Sequence, residues 1–113
     1  MECNCDNKKM APSLGTTLKL AVTAELGNNL HLKDVDFRCT FYCSSIVTKR
    51  LKVAKEDMTM LDDDTFLAVV DTKQVGAGQY YARLEVDVPD TDVSETGLRR
   101  EVVTIPTYIN VIR

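Results

Sequence analysis

Gly76-Ala77-Gly78-Gln79-Tyr80-Tyr81-Ala82-Arg83-Leu84-Glu85-Val86-Asp87-Val88 decides the fold. After the glycines the side chains alternate. Tyr80, Ala82, Leu84, Val86 and Val88 fall on one side, and Tyr81, Arg83, Glu85 and Asp87 on the other. One apolar face at a period of two is the pattern of a half-buried antiparallel strand. Gly76 and Gly78 give a tight turn into it, and Pro89-Asp90 ends it because proline cannot donate to a ladder. The stretch reads as the central strand of a small sandwich.

The rest of the chain fits around it. Val35 to Cys43 alternates in the same way, with Val35, Phe37, Cys39, Phe41 and Cys43 inward. Upstream, Thr16 to Ala24 buries Leu18, Leu20, Val22 and Ala24. Val47 to Val53 is a strand whose count turns Lys49 inward, a charge that suits a sheet edge. Lys55 to Thr59 fits either a helical turn or a strand, and Phe66 to Val70 is a further strand. The last strand spans Arg100 to Ile112, and Pro106 within it implies an edge, a bulge or a change of sheet. Gly27-Asn28-Asn29, Asp62-Asp63-Asp64 and the polar loop Pro89 to Gly97 are the turns. Met1 to Leu14 has no period and reads as a flexible arm, leaving residues 15–113 as one domain. Short strands, regular turn signals and no useful amphipathic helix predict an all-β antiparallel sandwich of about seven strands.

Composition sets limits. A length of 113 residues suits one domain, and 44% hydrophobic with 27% charged residues is globular rather than disordered. No apolar run nears the ~20 residues of a spanning helix. The opening Met1-Glu2-Cys3-Asn4-Cys5-Asp6 lacks the apolar region of a secretory signal. A formal charge of −3 gives no reason to expect nucleic-acid binding. Cys39 and Cys43 share a strand face roughly 13 Å apart at about 3.3 Å per residue, too far to bond each other. With Cys3 and Cys5 they read as reduced thiols of a cytoplasmic product.

Few residues could carry chemistry. His31 is the only histidine and has no nucleophile or acid at a recognised spacing, so it reads as an exposed turn residue. Cys3-Asn4-Cys5 supplies two soft ligands where a closed zinc site needs about four. Asp62-Asp63-Asp64 and the Asp90, Asp92, Glu95 loop offer carboxylates but match no full calcium loop. The basic run Lys49, Arg50, Lys52, Lys55 is expected to pair with nearby acids rather than bind phosphate. Gly76-x-Gly78 precedes a strand, the wrong order for a dinucleotide fingerprint. No catalytic, cofactor or metal site is assembled from these residues.

Gly78-Gln79-Tyr80-Tyr81-Ala82 resembles the turn and sixth strand of immunoglobulin-like sandwiches. The resemblance implies that Tyr80 is the tyrosine-corner residue, bonding its hydroxyl to upstream backbone. It also puts Ala82 where antibody domains carry their second cysteine, with Cys39 the counterpart of the first. That leaves no inter-sheet disulfide, and the chain has no tryptophan.

Leu32 to Phe41, the Asp62-Asp63-Asp64 turn, Gly78 to Leu84, Gly97-Leu98-Arg99 and Ile109-Asn110-Val111 are together similar to small sandwich domains of tailed bacteriophages. These include the N-terminal domain of baseplate upper proteins and related tail or head-decoration modules. The resemblance implies a non-enzymatic virion protein without cofactor, made in the bacterial cytoplasm. Its partners would be other virion proteins, in a homo- or hetero-oligomer, with no nucleic acid or membrane. The partner-contact candidates are Cys3, Cys5, Asp62, Asp63, Asp64, Asp90 and Asp92. The alternative is a surface or secreted immunoglobulin-like module gripping a protein or carbohydrate through its end loops. A small enzyme or metal protein is the third reading.

Overall fold

Alternation becomes two packed antiparallel sheets in the computed structural model, which describes residues 2–4, 11–27, 29–44, 46–90, 92 and 97–113, with backbone alone at 2–4 and 46–48. The strands are β1 (Glu2–Asn4), β2 (Thr17–Thr23), β3 (Asp36–Cys43), β4 (Ile46–Ala54), β5 (Thr59–Asp62), β6 (Thr65–Asp71), β7 (Gly78–Pro89) and β8 (Leu98–Val111). The first sheet runs β1-β2-β6-β5 and the second β4-β3-β7-β8. This is the two-sheet order of an immunoglobulin-like sandwich.

β7 is an interior strand, with β3 on one side and β8 on the other. Its inner side chains Tyr80, Ala82, Leu84, Val86 and Val88 are all buried. β2 and β6 answer from the opposite sheet with Leu20, Val22, Ala68 and Val70, each fully buried. The sheets interlock at Phe37 and Phe66, whose rings meet edge to face at 4.9 Å. Small Ala82 faces Phe41 across the ladder, so a large ring fits beside it.

The corner before β7 is built by hydrogen bonds. A single helical turn, α1 (Thr72–Val75), opens where the Asp71 carboxylate accepts from Lys73 N at 3.0 Å. It closes at Gly76, whose φ of 101° is open to glycine and whose N–H donates to Thr72 O at 2.7 Å. The fully buried Tyr80 hydroxyl then donates to Gly76 O at 2.5 Å. This is the geometry of a tyrosine corner, and Gly78 with φ 137° turns the chain between the two. Burial, then the neighbouring Cys43 and Asp71, push the phenol up to about 12. Thr72 ties the corner to the start of β2. Its hydroxyl donates to Thr16 O and accepts from Gly15 N, each at 2.8 Å.

Pro106 sits in a bulge. Tyr81 pairs with Pro106 and Gln79 with Asn110, so residues 107–109 of β8 face Tyr80 alone. Buried Thr107 fills the gap, donating to Tyr80 O at 2.9 Å and accepting from Ile109 N at 3.2 Å. Tyr108 takes φ 60° and is 85% exposed.

Three readings of the sequence need correction, and one left open is settled by the structure. Residues 2–4 do not lie in a flexible arm but form β1 on β2, and Pro12 and Leu14 bond to Ile112. These are backbone bonds, which need no side-chain period. Lys49 is exposed rather than inward, because the β3–β4 register jumps from Tyr42↔Arg50 to Cys43↔Ile46 and takes it out of the ladder. Lys55 to Thr59 is both alternatives in turn, a 3-10 turn at Lys55–Asp57 and then β5. Cys39 is no counterpart of a first inter-sheet cysteine, since it lies on β3 opposite Leu84 within one sheet. Cys39 and Cys43 are both buried, as expected of small apolar side chains.

Leu84→Ala should cost about 2–5 kcal/mol in urea unfolding, the range for deleting a fully buried leucine. Tyr80→Phe leaves the Gly76 carbonyl buried without its donor and should cost about 1–3 kcal/mol. No loss at Tyr80 would detach the corner from the stability of β7.

Candidate interaction surface

The outer face of the second sheet carries charged side chains on all four of its strands. Strand pairing aligns them in rows. Arg50, Tyr42, Tyr81 and Pro106 form one row across β4, β3, β7 and β8, and Lys52, Thr40, Arg83 and Thr104 form the next. Then come Ala54, Arg38, Glu85 and Val102, and finally Asp36, Asp87 and Arg100.

In the first row the Tyr42 and Tyr81 rings stack at 5.7 Å with 25° between planes. Arg50 lays its guanidinium 4.9 Å from the Tyr42 ring centre. Such a contact fixes the long arginine without neutralising it. Arg50, Lys52 and Arg83 make no ion pair among the described residues. The expected pairing of the basic run with acids is therefore not what forms. Lys55 instead donates to Lys33 O and Val35 O, each at 2.7 Å, and lies near the Phe37 and Phe66 rings.

The far rows are neutralised internally. Arg38 Nε donates to Glu85 at 3.1 Å and Nη1 to Asp87 at 3.2 Å, while Arg100 Nε donates to the other Asp87 oxygen at 3.2 Å. The Arg38, Glu85 and Asp87 side chains are only 15–17% exposed. Hydrogen bonding from Arg38 holds the Asp87 carboxyl below the ordinary carboxylate range. The same bond with Asp87 raises Arg38. So Glu85 and Asp87, on the wet side of the alternation, are largely covered by guanidinium groups. Arg38 Nη2 is buried and has no hydrogen-bond partner among the described residues.

The residues singled out in the sequence lie elsewhere. Asp62, Asp63 and Asp64 form the β5–β6 turn. Asp62 accepts from Asp64 N, Asp63 pairs with Lys33 at 3.2 Å, and Asp64 accepts from Leu32 N and from His31 Nδ1 at 3.1 Å. His31, 43% exposed, is thus held by an acid distant in sequence. Asp90 accepts from Asp92 N at 3.0 Å and from Arg99 at 2.9 Å. These bonds come from nitrogen donors, and the described residues hold no cluster arranged to bind a metal. The Cys3 side chain, Cys5, Glu95 and Asn28 lie outside the described residues. Sequence reading missed the tyrosine stack, although both strands turn their tyrosines outward. The missing information was the register that makes them neighbours.

No family model, curated protein or solved structure matches the chain. Its class therefore rests on the fold, an all-β antiparallel sandwich. No helix among the described residues is long and apolar enough to cross a membrane.

Asp87 gives the surface a pH signature. Its carboxyl titrates lower folded than unfolded, so it stabilises the fold above the ordinary value of about 3.9, and that contribution fades as pH falls through the depressed value. Asp87→Asn should flatten the loss of stability as pH falls below about 4. An acid limb as steep as wild type would show that the Arg38–Asp87 pair contributes nothing.

Proposed function

We propose that this chain is a non-enzymatic docking protein of a tailed-bacteriophage particle, acting through the outer face of its second sheet. The observation that carries the docking reading is the Arg50–Tyr42–Tyr81 stack with Lys52 and Arg83 beside it, cations without carboxylate partners among the described residues. Tyrosine and arginine are enriched where proteins bind one another, because each offers broad contact at modest entropic cost. The phage assignment rests on the similarity of the Leu32–Phe41, Gly78–Leu84 and Ile109–Val111 segments to tail and head-decoration sandwiches.

Density-gradient-purified particles from the producing culture should contain the chain in fixed ratio to the major structural proteins. Arg50→Glu combined with Arg83→Glu should leave folding intact and reduce that ratio at least tenfold. Recovery only from soluble lysate would defeat the particle reading. Recovery from the cell surface would favour the alternative, a surface or secreted module recognising a protein or carbohydrate.

A further inference from the structure

The molecule is electrically polar from end to end. It measures 47 × 29 × 20 Å, and a 12-residue strand such as β7 spans about 40 Å of the long dimension at ~3.3 Å per residue. One end holds the pairs Tyr42↔Tyr81 and Thr17↔Asp71. The other holds Asp36↔Asp87 and Thr23↔Thr65, with the Asp62–Asp64 turn beyond. Among the described side chains, Asp71 is the one carboxylate in the tyrosine half, and it is engaged at the start of α1. Arg50, Lys52, Lys73 and Arg83 lie in that half. The opposite end gathers the acids of the β5–β6 turn, the 3-10 turn Lys55–Asp57 and the start of the β7–β8 loop.

We propose that copies of this chain associate head to tail, the Arg50–Lys52–Arg83 face of one copy receiving the Asp62–Asp64 turn of the next. Two cationic faces related by a two-fold axis would meet like to like, which is costly. Each copy instead carries both halves of a complementary pair, on different sheets and toward opposite ends, so one copy's face meeting the next copy's turn is a heterologous contact that repeats into a ring or an open filament. The turn can take part while keeping its own bonds. A carboxylate has about four lone-pair sites, and Asp63 is 55% exposed. The stacked tyrosines add apolar area beside the cations. The inference rests on charge placement and holds whether or not the chain belongs to a particle.

Sedimentation equilibrium of the full chain tests it. At about 0.01 M salt, where the screening length is roughly 30 Å, the average mass should climb with concentration past the dimer without levelling there. At about 1 M salt, with screening near 3 Å, it should return to the monomer. Arg50→Glu with Arg83→Glu should be monomeric alone, and so should Asp62→Asn with Asp63→Lys, which keeps the acceptor at position 62. Mixed in equal amounts, the two should associate again, because the reversed face now meets a reversed turn. Circular dichroism confirms that each is folded, and the milder Arg83→Gln and Asp63→Asn should each weaken association severalfold. A wild-type chain that stays monomeric at low salt would overturn the proposal. So would association that stops at the dimer, or a mixture that fails to reassociate.

Discussion

The bond between the Tyr80 hydroxyl and the Gly76 carbonyl sets where β7, an interior strand of the second sheet, begins. It fixes the exit of α1 against the start of β7, and β7 in turn aligns β3 and β8. A phenol with no solvent exposure must find an acceptor, and burial that complete makes one specific carbonyl the answer. Thr72 extends the same corner to Thr16 and Gly15, so one hydrogen-bonded node joins the approach to β2 and the end of β6 in the first sheet to the start of β7 in the second. The bulge around Thr107 is its counterpart on β8. It lets a strand containing proline stay paired on both sides of Tyr80.

Once the rows across β4, β3, β7 and β8 are in register, the outer face divides by charge. Arg38 and Arg100 spend their guanidinium groups on Glu85 and Asp87, while Arg50 spends its own on an aromatic ring. The first arrangement cancels charge and the second preserves it. A face that is neutral at one end and cationic at the other favours recognition by orientation and attraction more than by shape.

Much of the sandwich was legible because a strand buried on one face writes its period directly into the chain. Leu18, Leu20 and Val22, Phe37 to Cys43, and Tyr80 to Val88 alternate in sequence and are buried as that alternation requires. What was not legible depends on backbone bonding or on contact between distant segments. β1 leaves no side-chain signal, and Lys49 leaves the ladder through a register jump that no local pattern announces. The acidic turn was visible as a turn, but not its grip on His31, which lies 33 residues away in sequence. Likewise the outward tyrosines were plain in each strand, and only pairing shows that they stack.

The opening of the chain serves both sheets, with β1 on β2 and Ser13 in a parallel bridge to Ile112. Leu14 N donates to Ile112 O at 2.6 Å and Ile112 N to Pro12 O at 2.9 Å. Because these strands run the same way, tension drawn through the backbone from either end would load both bonds along the strand axis. They would have to rupture together rather than unzip in succession, so this small seam acts as a mechanical latch on the sandwich.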